Sequence, residues 1–151
     1  MAMKPLDELD RRILDALQRD GRATLTELGR TLGLSQPAMS ERVRRLERRG
    51  AVTGYRAEVD PAALGVGLQA VLRVRTTAAL LPDAVARIEG MAEVIDALRV
   101  TGEDCLVLRV AVPDALHLEA VVDAFTRFGP VTTSIILREL GRKPVPTQGP
   151  S

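Results

Sequence analysis

The sequence predicts an α+β protein in two parts, a helix-turn-helix built on three short helices followed by a ferredoxin-like βαββαβ unit. Three observations carry this. Apolar residues recur at helical spacing through residue 50, the period then shortens, and beyond Asp60-Pro61 segments of strand and helix character alternate in the stated order. At 151 residues there is room for two small domains, and 46% hydrophobic with 27% charged residues is the balance of a soluble globular protein. Only 2% of residues are aromatic, namely Tyr55, Phe125 and Phe128, so the core must be aliphatic.

Leu6, Leu9, Ile13 and Leu17 share one helical face, and Asp20-Gly21 ends that pattern with a turn signal. Thr24-Leu25-Thr26-Glu27 has the form of a capping box, in which hydroxyl and carboxylate satisfy unpaired N–H groups at a helix start. Leu25, Leu28 and Leu32 make the apolar face of this second helix, and Gly33 supplies a left-handed exit. Ser35 then caps a third helix that carries Pro37 in its first turn, where a missing N–H costs nothing. Met39, Val43 and Leu46 form its inward stripe, and Gly50 closes it. Two short helices meeting across Gly33-Leu34 have the spacing of a helix-turn-helix.

From Ala51 the period changes. Val52, Tyr55, Ala57 and Val59 read as extended structure leading to a hinge at Asp60-Pro61. Residues 68–76 read as a strand, and 81–92, opened by Pro82, as a helix with Val85, Ile88 and Met91 inward. Residues 93–101 and 104–112 read as strands joined by a short hairpin connection at Gly102-Glu103. A helix follows with Leu118, Val121, Val122, Phe125 and Phe128 on one side, then a last strand over 131–140. The expected division is therefore 1–60, a helix-turn-helix domain with its extended hinge, 61–141, the α+β domain, and 142–151, a flexible tail rich in proline.

Alternation assigns Leu72, Val74, Leu98, Val100, Leu106, Leu108, Ile135 and Leu137 to the face covered by the helices. The other face would carry Val71, Arg73, Ile95, Ala97, Arg99, Cys105, Val107, Arg109, Ser134 and Ile136. A solvent face is usually more uniformly polar, so this mixture of apolar residues and arginine points to a partner subunit, with a partly apolar exposed sheet as the alternative.

Composition excludes several classes. Cys105 is the only cysteine and His117 the only histidine, so neither an internal disulfide nor a four-ligand structural zinc site is available. Cys105 reads as packing and His117 as a surface residue. The start of the chain is charged almost at once, which is unlike a signal sequence, and no apolar run approaches the roughly 20 residues a membrane span needs. A cytoplasmic, nucleoid-associated protein is expected. No paired acid and base, partnered nucleophile, glycine-rich phosphate loop or HExxH occurs, so no catalytic residue, metal or cofactor is expected and an enzyme is disfavoured. The ferredoxin-like half nonetheless keeps open an enzyme or small-molecule binder, because that fold hosts many functions.

The third helix is the first functional candidate. Between Ser35 and Arg49 it holds five arginines (42, 44, 45, 48 and 49) against Glu41 and Glu47. With Met39, Val43 and Leu46 inward, a 100° step places Pro37, Glu41, Arg44 and Arg48 outward, flanked by Gln36, Ser40 and Arg45. By itself this could be a solvated basic face. Preceded by a capped helix pair, it reads as the recognition helix of a double-stranded DNA binder. Ser35, Gln36, Pro37 and Ser40 lie at the end that enters the major groove in this motif. Gln36 and Arg44 suit bidentate contacts to adenine and guanine, whereas Arg45, Arg48 and Arg49 suit the backbone, and Arg42 is counted among the DNA-binding residues. An architectural DNA-binding protein without an effector would use the same helix.

These features resemble the Lrp/AsnC family of bacterial and archaeal transcription regulators. The resemblance is carried by Leu6-Asp7 and Asp10, Ile13-Leu14, Asp20-Gly21-Arg22, Glu27-Leu28, Gly33-Leu34-Ser35, Arg42-Val43, Arg45-Leu46-Glu47, Gly50-Ala51-Val52 and Gly54-Tyr55. It continues through VTGEDCLVLRV and FGPVTTSIIL, and so covers nearly all of the chain apart from its end.

The resemblance implies an N-terminal winged helix-turn-helix joined by a short hinge to an effector and dimerisation domain. It also implies homodimers formed sheet to sheet that assemble into octamers, with an amino acid or related effector held between subunits. The residues it points to for the effector are Thr101, Gly102 and Asp104, with Thr133 and Ser134 on the last strand. Glycine permits close approach, a carboxylate suits an α-ammonium, and N–H groups or hydroxyls suit an α-carboxylate. From composition alone Gly102 and Asp104 are simply turn residues. The family commonly has an aromatic residue where this chain has Cys105.

Overall fold

The computed structural model describes residues 5–148. Residues 1–4 and 149–151, the outermost parts of the expected first domain and tail, lie outside the described residues. Two compact units are formed, one by Met1–Ala57 with Gly141–Ser151 and the other by Glu58–Leu140.

The first unit contains α1 (Glu8–Arg19), α2 (Leu25–Leu32) and α3 (Gln36–Arg48). Each begins on a side-chain cap: Asp7 accepts from the Asp10 N–H, Thr24 from Glu27 and Ser35 from Ala38. The Thr24–Glu27 capping box is complete, since the Glu27 carboxylate also accepts the Thr24 N–H at 2.8 Å. Ile13, Leu28, Met39, Val43 and Leu46 are buried together and join the three helices. Burial of such side chains contributes about 1.5–3 kcal/mol each. Gly33 ends α2 with φ 75°, as expected. Gly29 has a different reason to be glycine. A Cβ there would sit 2.6 Å from the Leu34 carbonyl oxygen, so a side chain would push the two helices of the motif apart.

One expectation for this unit changes. The wing has no strand: residues 53–59 run without regular structure or ladder partner among the described residues, and the Tyr55 hydroxyl donates to Glu47 at 3.0 Å. The described part of the expected tail makes backbone contacts with α1. Val145 exchanges both backbone hydrogen bonds with the Gln18 side chain, and Arg11 donates to the Thr147 carbonyl. Prolines mark where a chain cannot continue a helix or central strand, but not whether its backbone finds other partners.

The second unit opens with a short 3-10 turn, Pro61–Leu64, and then follows the expected order: β1 (Leu68–Val74), α4 (Leu81–Glu89), β2 (Val94–Arg99), β3 (Leu106–Val112), α5 (Ala115–Thr126) and β4 (Val131–Ile135). The strands lie in the order β2-β3-β1-β4, all antiparallel. Ala70, Leu72, Val74, Leu106, Leu108, Val110 and Val112 are buried against Ala84, Leu118, Val121, Phe125 and Phe128. His117, at the start of α5, hydrogen-bonds Glu93 at 2.8 Å, and this contact lowers the Glu93 carboxyl pKa below its ordinary value.

Register corrects the assignment of β2. Val94 pairs with Val110 but Asp96 with Arg109, so Ile95 is an extra residue, a β-bulge. Every later side chain is thereby flipped. Ala97 and Arg99 pair with Leu108 and Leu106 and share the helix-side face, whereas Leu98 pairs with Val107 on the open face and is 54% exposed. Val100 follows Leu98 there, its N–H bonded to the Cys105 carbonyl. That bond closes a loop over residues 101–104 in place of the two-residue connection expected. β4 also ends early, and Leu137, expected to face the helices, is exposed.

Charge joins α1 to α3. Asp10 is 2% exposed, yet it lies among the apolar side chains of a three-helix core. Its carboxylate accepts from Arg42 and from Arg45, each at 2.9 Å, and Arg49 approaches at 3.9 Å. Arg42 also donates to Asp7 at 2.8 Å. A carboxylate buried to this degree is tolerable only when so paired.

Asp10→Asn is therefore expected to lower the unfolding free energy of the first unit by about 2–3 kcal/mol, since charge-assisted bonds are lost and arginines left without their partner. Urea unfolding followed by Tyr55 fluorescence measures this, Tyr55 being the only tyrosine in a chain without tryptophan. The Arg42 hydrogen bond, then the Asp10 N–H, hold the Asp7 pKa below its ordinary 3.8. The unfolded chain therefore takes up this proton first. The contribution of Asp7 is complete above about pH 5, declines on acidification through the ordinary carboxylate range, and is gone below the lowered folded value. Acid titration of the same unfolding signal should show this small term in the parent chain and not in Asp7→Asn.

Candidate nucleic-acid interface and ligand site

The stripe Met39, Val43 and Leu46 is buried as expected, and this fixes the rotation of α3. Ser35, Gln36, Pro37, Glu41, Arg44 and Arg48 are exposed, and Ser40 is half-buried at the edge of the same surface. Arg44 forms no ion pair among the described residues, while Arg48 is drawn to Glu41 at 2.8 Å. Arg48 pulls the Glu41 carboxyl pKa down, with Arg44 adding to the effect. The outward ridge thus carries an amide near the helix N-terminus, an unpaired guanidinium one to two turns later, and an exposed ion pair that water or phosphate can compete for.

Arg42 and Arg45 are placed differently from the sequence expectation. Both turn back on α1 and Asp10, so their guanidinium groups are committed to holding the unit together. The residues that sequence reasoning did not assign a role here are Asp7 and Asp10. Their signal was present: two carboxylates three residues apart, at the cap and in the first turn of α1, match arginines at 42, 45 and 49, spaced by three and four, along α3 and at its end.

In the second unit, Thr101, Gly102, Glu103 and Asp104 form the loop between β2 and β3, with Gly102 at φ 109°. Asp104 lies 3.9 Å from Arg73 and 3.8 Å from Arg75, and Glu103 pairs with Arg75 at 2.6 Å. Thr133 and Ser134 pair with Leu72 and Val71 on β1, which stands between β4 and β3. Register places Ser134 on the open face with Arg73 and Thr133 on the helix side, both exposed. Among the described residues, the side chains that face the loop carboxylates are Arg73 and Arg75. The loop lies at the Val74–Leu106 end of the sheet, whereas Thr133 and Ser134 sit farther along, opposite the middle of β1, so the two clusters are apart within one chain, and arginines of β1 and the segment after it lie beside the carboxylates. Arg73 and Arg75 were not foreseen as part of this site. A guanidinium within 4 Å of a carboxylate in a half-exposed loop is suited to a zwitterion, since each pole finds its opposite charge.

Among the described residues no cluster of histidine, cysteine and carboxylate side chains could hold a metal ion, and no helix is long and apolar enough to cross a membrane.

Comparison with known proteins places both units. The AsnC-type helix-turn-helix domain matches residues 6–47 and the Lrp/AsnC ligand binding domain residues 69–146. The transcriptional regulator LrpA of Mycobacterium tuberculosis is 45% identical over 115 residues, covering 76% of this chain and 77% of its own. Among solved structures, LrpC of B. subtilis superposes with a TM-score of 0.86 at 27% identity, over 93% of this chain and all of the other. A feast or famine regulatory protein from M. tuberculosis, solved in complex with L-methionine, gives 0.84 at 39% identity, over 91% of this chain and 96% of its own. The ordered helix-turn-helix, the four-stranded sheet behind two helices and these matches lead to one conclusion: the chain belongs to the Lrp/AsnC family and is a helix-turn-helix transcriptional regulator with a ligand-binding domain.

Proposed function

We propose that this regulator acts as a cytoplasmic homodimer, or an octamer built from dimers, that reads duplex DNA with the outward ridge of α3 and responds to an α-amino acid. The observation that carries the reading is the division of α3 into a buried stripe, a pair of arginines tied to Asp10, and an exposed ridge of Gln36, Pro37, Ser40, Glu41, Arg44 and Arg48. On that ridge Gln36 and Arg44 contact base edges, and Ser35 and Arg48 contact phosphates. A dimer presents two such helices to half-sites on one side of the duplex, so its operator is an imperfect palindrome.

The open face of the sheet supports self-association. Val71, Leu98, Val100, Val107 and Ile136 lie there with Arg73 and Arg109, and Leu98 remains half-exposed in the single chain. Such a surface is better matched to a second copy of itself than to water. For the effector, Asp104 holds the α-ammonium, with Thr101 and Gly102 beside it, and Arg73 or Arg75 holds the α-carboxylate. Of the two β4 candidates, Ser134 shares the open face with Arg73 and Thr133 the helix side, so Ser134 is the one placed to reach a ligand held against the open face. The complexes of two relatives with L-methionine support an amino acid of this kind. Ligand held between subunits shifts their packing and hence the spacing of the recognition helices, to the extent that it binds one arrangement better.

Two measurements test this. In gel-shift titrations, Arg44→Ala is expected to cost about 1–3 kcal/mol and relax preference at one base position, whereas Arg48→Ala weakens all sequences alike and reduces the salt slope by about one. Even loss across sequences for both variants would contradict base reading by Arg44. In a thermal-shift screen of the common amino acids, at least one is expected to raise the melting temperature by several degrees at about a hundredfold excess over its Kd. Asp104→Asn is expected to abolish that rise. DNA binding and melting that ignore every amino acid would contradict the effector role.

A further inference from the structure

We infer that the outer face of α1 is a peptide-binding surface whose occupant is the chain's own C-terminal segment, residues 144–147. The inference stands on contacts within the first unit and does not rest on the proposed reading of DNA or effector.

Arg11, Leu14 and Gln18 follow one another at spacings of three and four, and so form a single stripe along α1. Gln18 at its end is exposed, yet its amide is engaged through both its nitrogen and its oxygen. The Val145 N–H donates to Gln18 Oε1 at 2.7 Å, and Gln18 Nε2 donates to the Val145 carbonyl at 3.0 Å. A side-chain amide carries donor and acceptor in one plane, as a peptide group does, and here it pairs with a residue as a neighbouring strand would. Two residues on, Arg11 Nη1 donates to the Thr147 carbonyl at 2.6 Å. The segment thus runs from the C-terminal end of α1 back toward its start.

Its sequence suits this use. Pro144 and Pro146 flank Val145, so Val145 contributes the one backbone N–H of the triplet and that N–H is the one taken by Gln18. The two rings hold the backbone extended in advance, which reduces the entropy lost on docking. The Val145 side chain is 73% exposed, so the main chain and not the side chain is recognised. Beneath the segment, Leu14, Leu17, Val52 and Tyr55 line an open cleft of about 600 Å³ that Pro146 and Gln148 help to close.

The test is amide hydrogen exchange by NMR on the full chain. The Val145 amide is expected to exchange at least about tenfold more slowly than an unstructured chain, and Gln18→Ala to return it to the unstructured rate. Gln18→Glu, which keeps the acceptor and loses the donor, should fall between, and Val145→Ala should leave position 145 protected. Gln18 is exposed, so these variants fold. An unstructured rate in the parent chain, or equal protection in Gln18→Ala, would overturn the inference. A photo-crosslinker at Gln148 identifies the occupant: a product of single-chain size joined to α1 is expected, and a product of twice that size would assign the surface to a second copy and overturn the claim.

Discussion

A single buried carboxylate organises the DNA-binding unit. Asp10 is almost wholly shielded from water, and α3 supplies the arginines that make this tolerable. The pairing fixes how α3 lies on α1 more sharply than apolar contact does, because hydrogen bonds are directional and side-chain burial is not. It also divides the basic residues of α3. Those at 42 and 45 are tied to α1, and the charge left on the surface is concentrated at 44 and 48. A helix that looks uniformly basic in sequence is therefore two-sided in structure, with one set of arginines maintaining the fold and another facing outward.

The same reasoning applies to the ligand-binding unit, where backbone register takes the place of charge. One extra residue at Ile95 turns Leu98 and Val100 to the open face and Ala97 and Arg99 to the other. The outcome is an open face richer in branched apolar side chains than a regular strand would give. The loop that follows, closed by the Val100–Cys105 backbone bond, brings Asp104 beside Arg73 and Arg75. The bulge thus affects both proposals for this unit, the self-associating surface and the charged end of the sheet.

How much of this was legible in the sequence depended on the range of the interactions. Local signals read well: the Thr24–Glu27 capping box, the Ser35 cap, the Gly33 exit and the stripe of Met39, Val43 and Leu46 all lie within a few residues of what they determine. The alternation of strands and helices was legible for the same reason, and the outward position of Arg44 followed from helical periodicity. Pairings across elements were not read. Asp10 with Arg42 and Arg45 joins positions more than thirty apart, and the tail contacts join positions more than a hundred apart. The Ile95 bulge leaves no mark in composition, because a strand of period two and the same strand with one inserted residue are built from the same residue types.

The account rests on the arginines of α3 having two separate employments. NMR of the arginine side-chain N–H groups during titration with a duplex from upstream of the protein's own gene tests this most directly. The account predicts that the Arg44 and Arg48 resonances shift on binding while Arg42 and Arg45 keep their positions and remain hydrogen-bonded to Asp10. Release of Arg42 and Arg45 from Asp10 onto the DNA, with Arg44 unmoved, would contradict it.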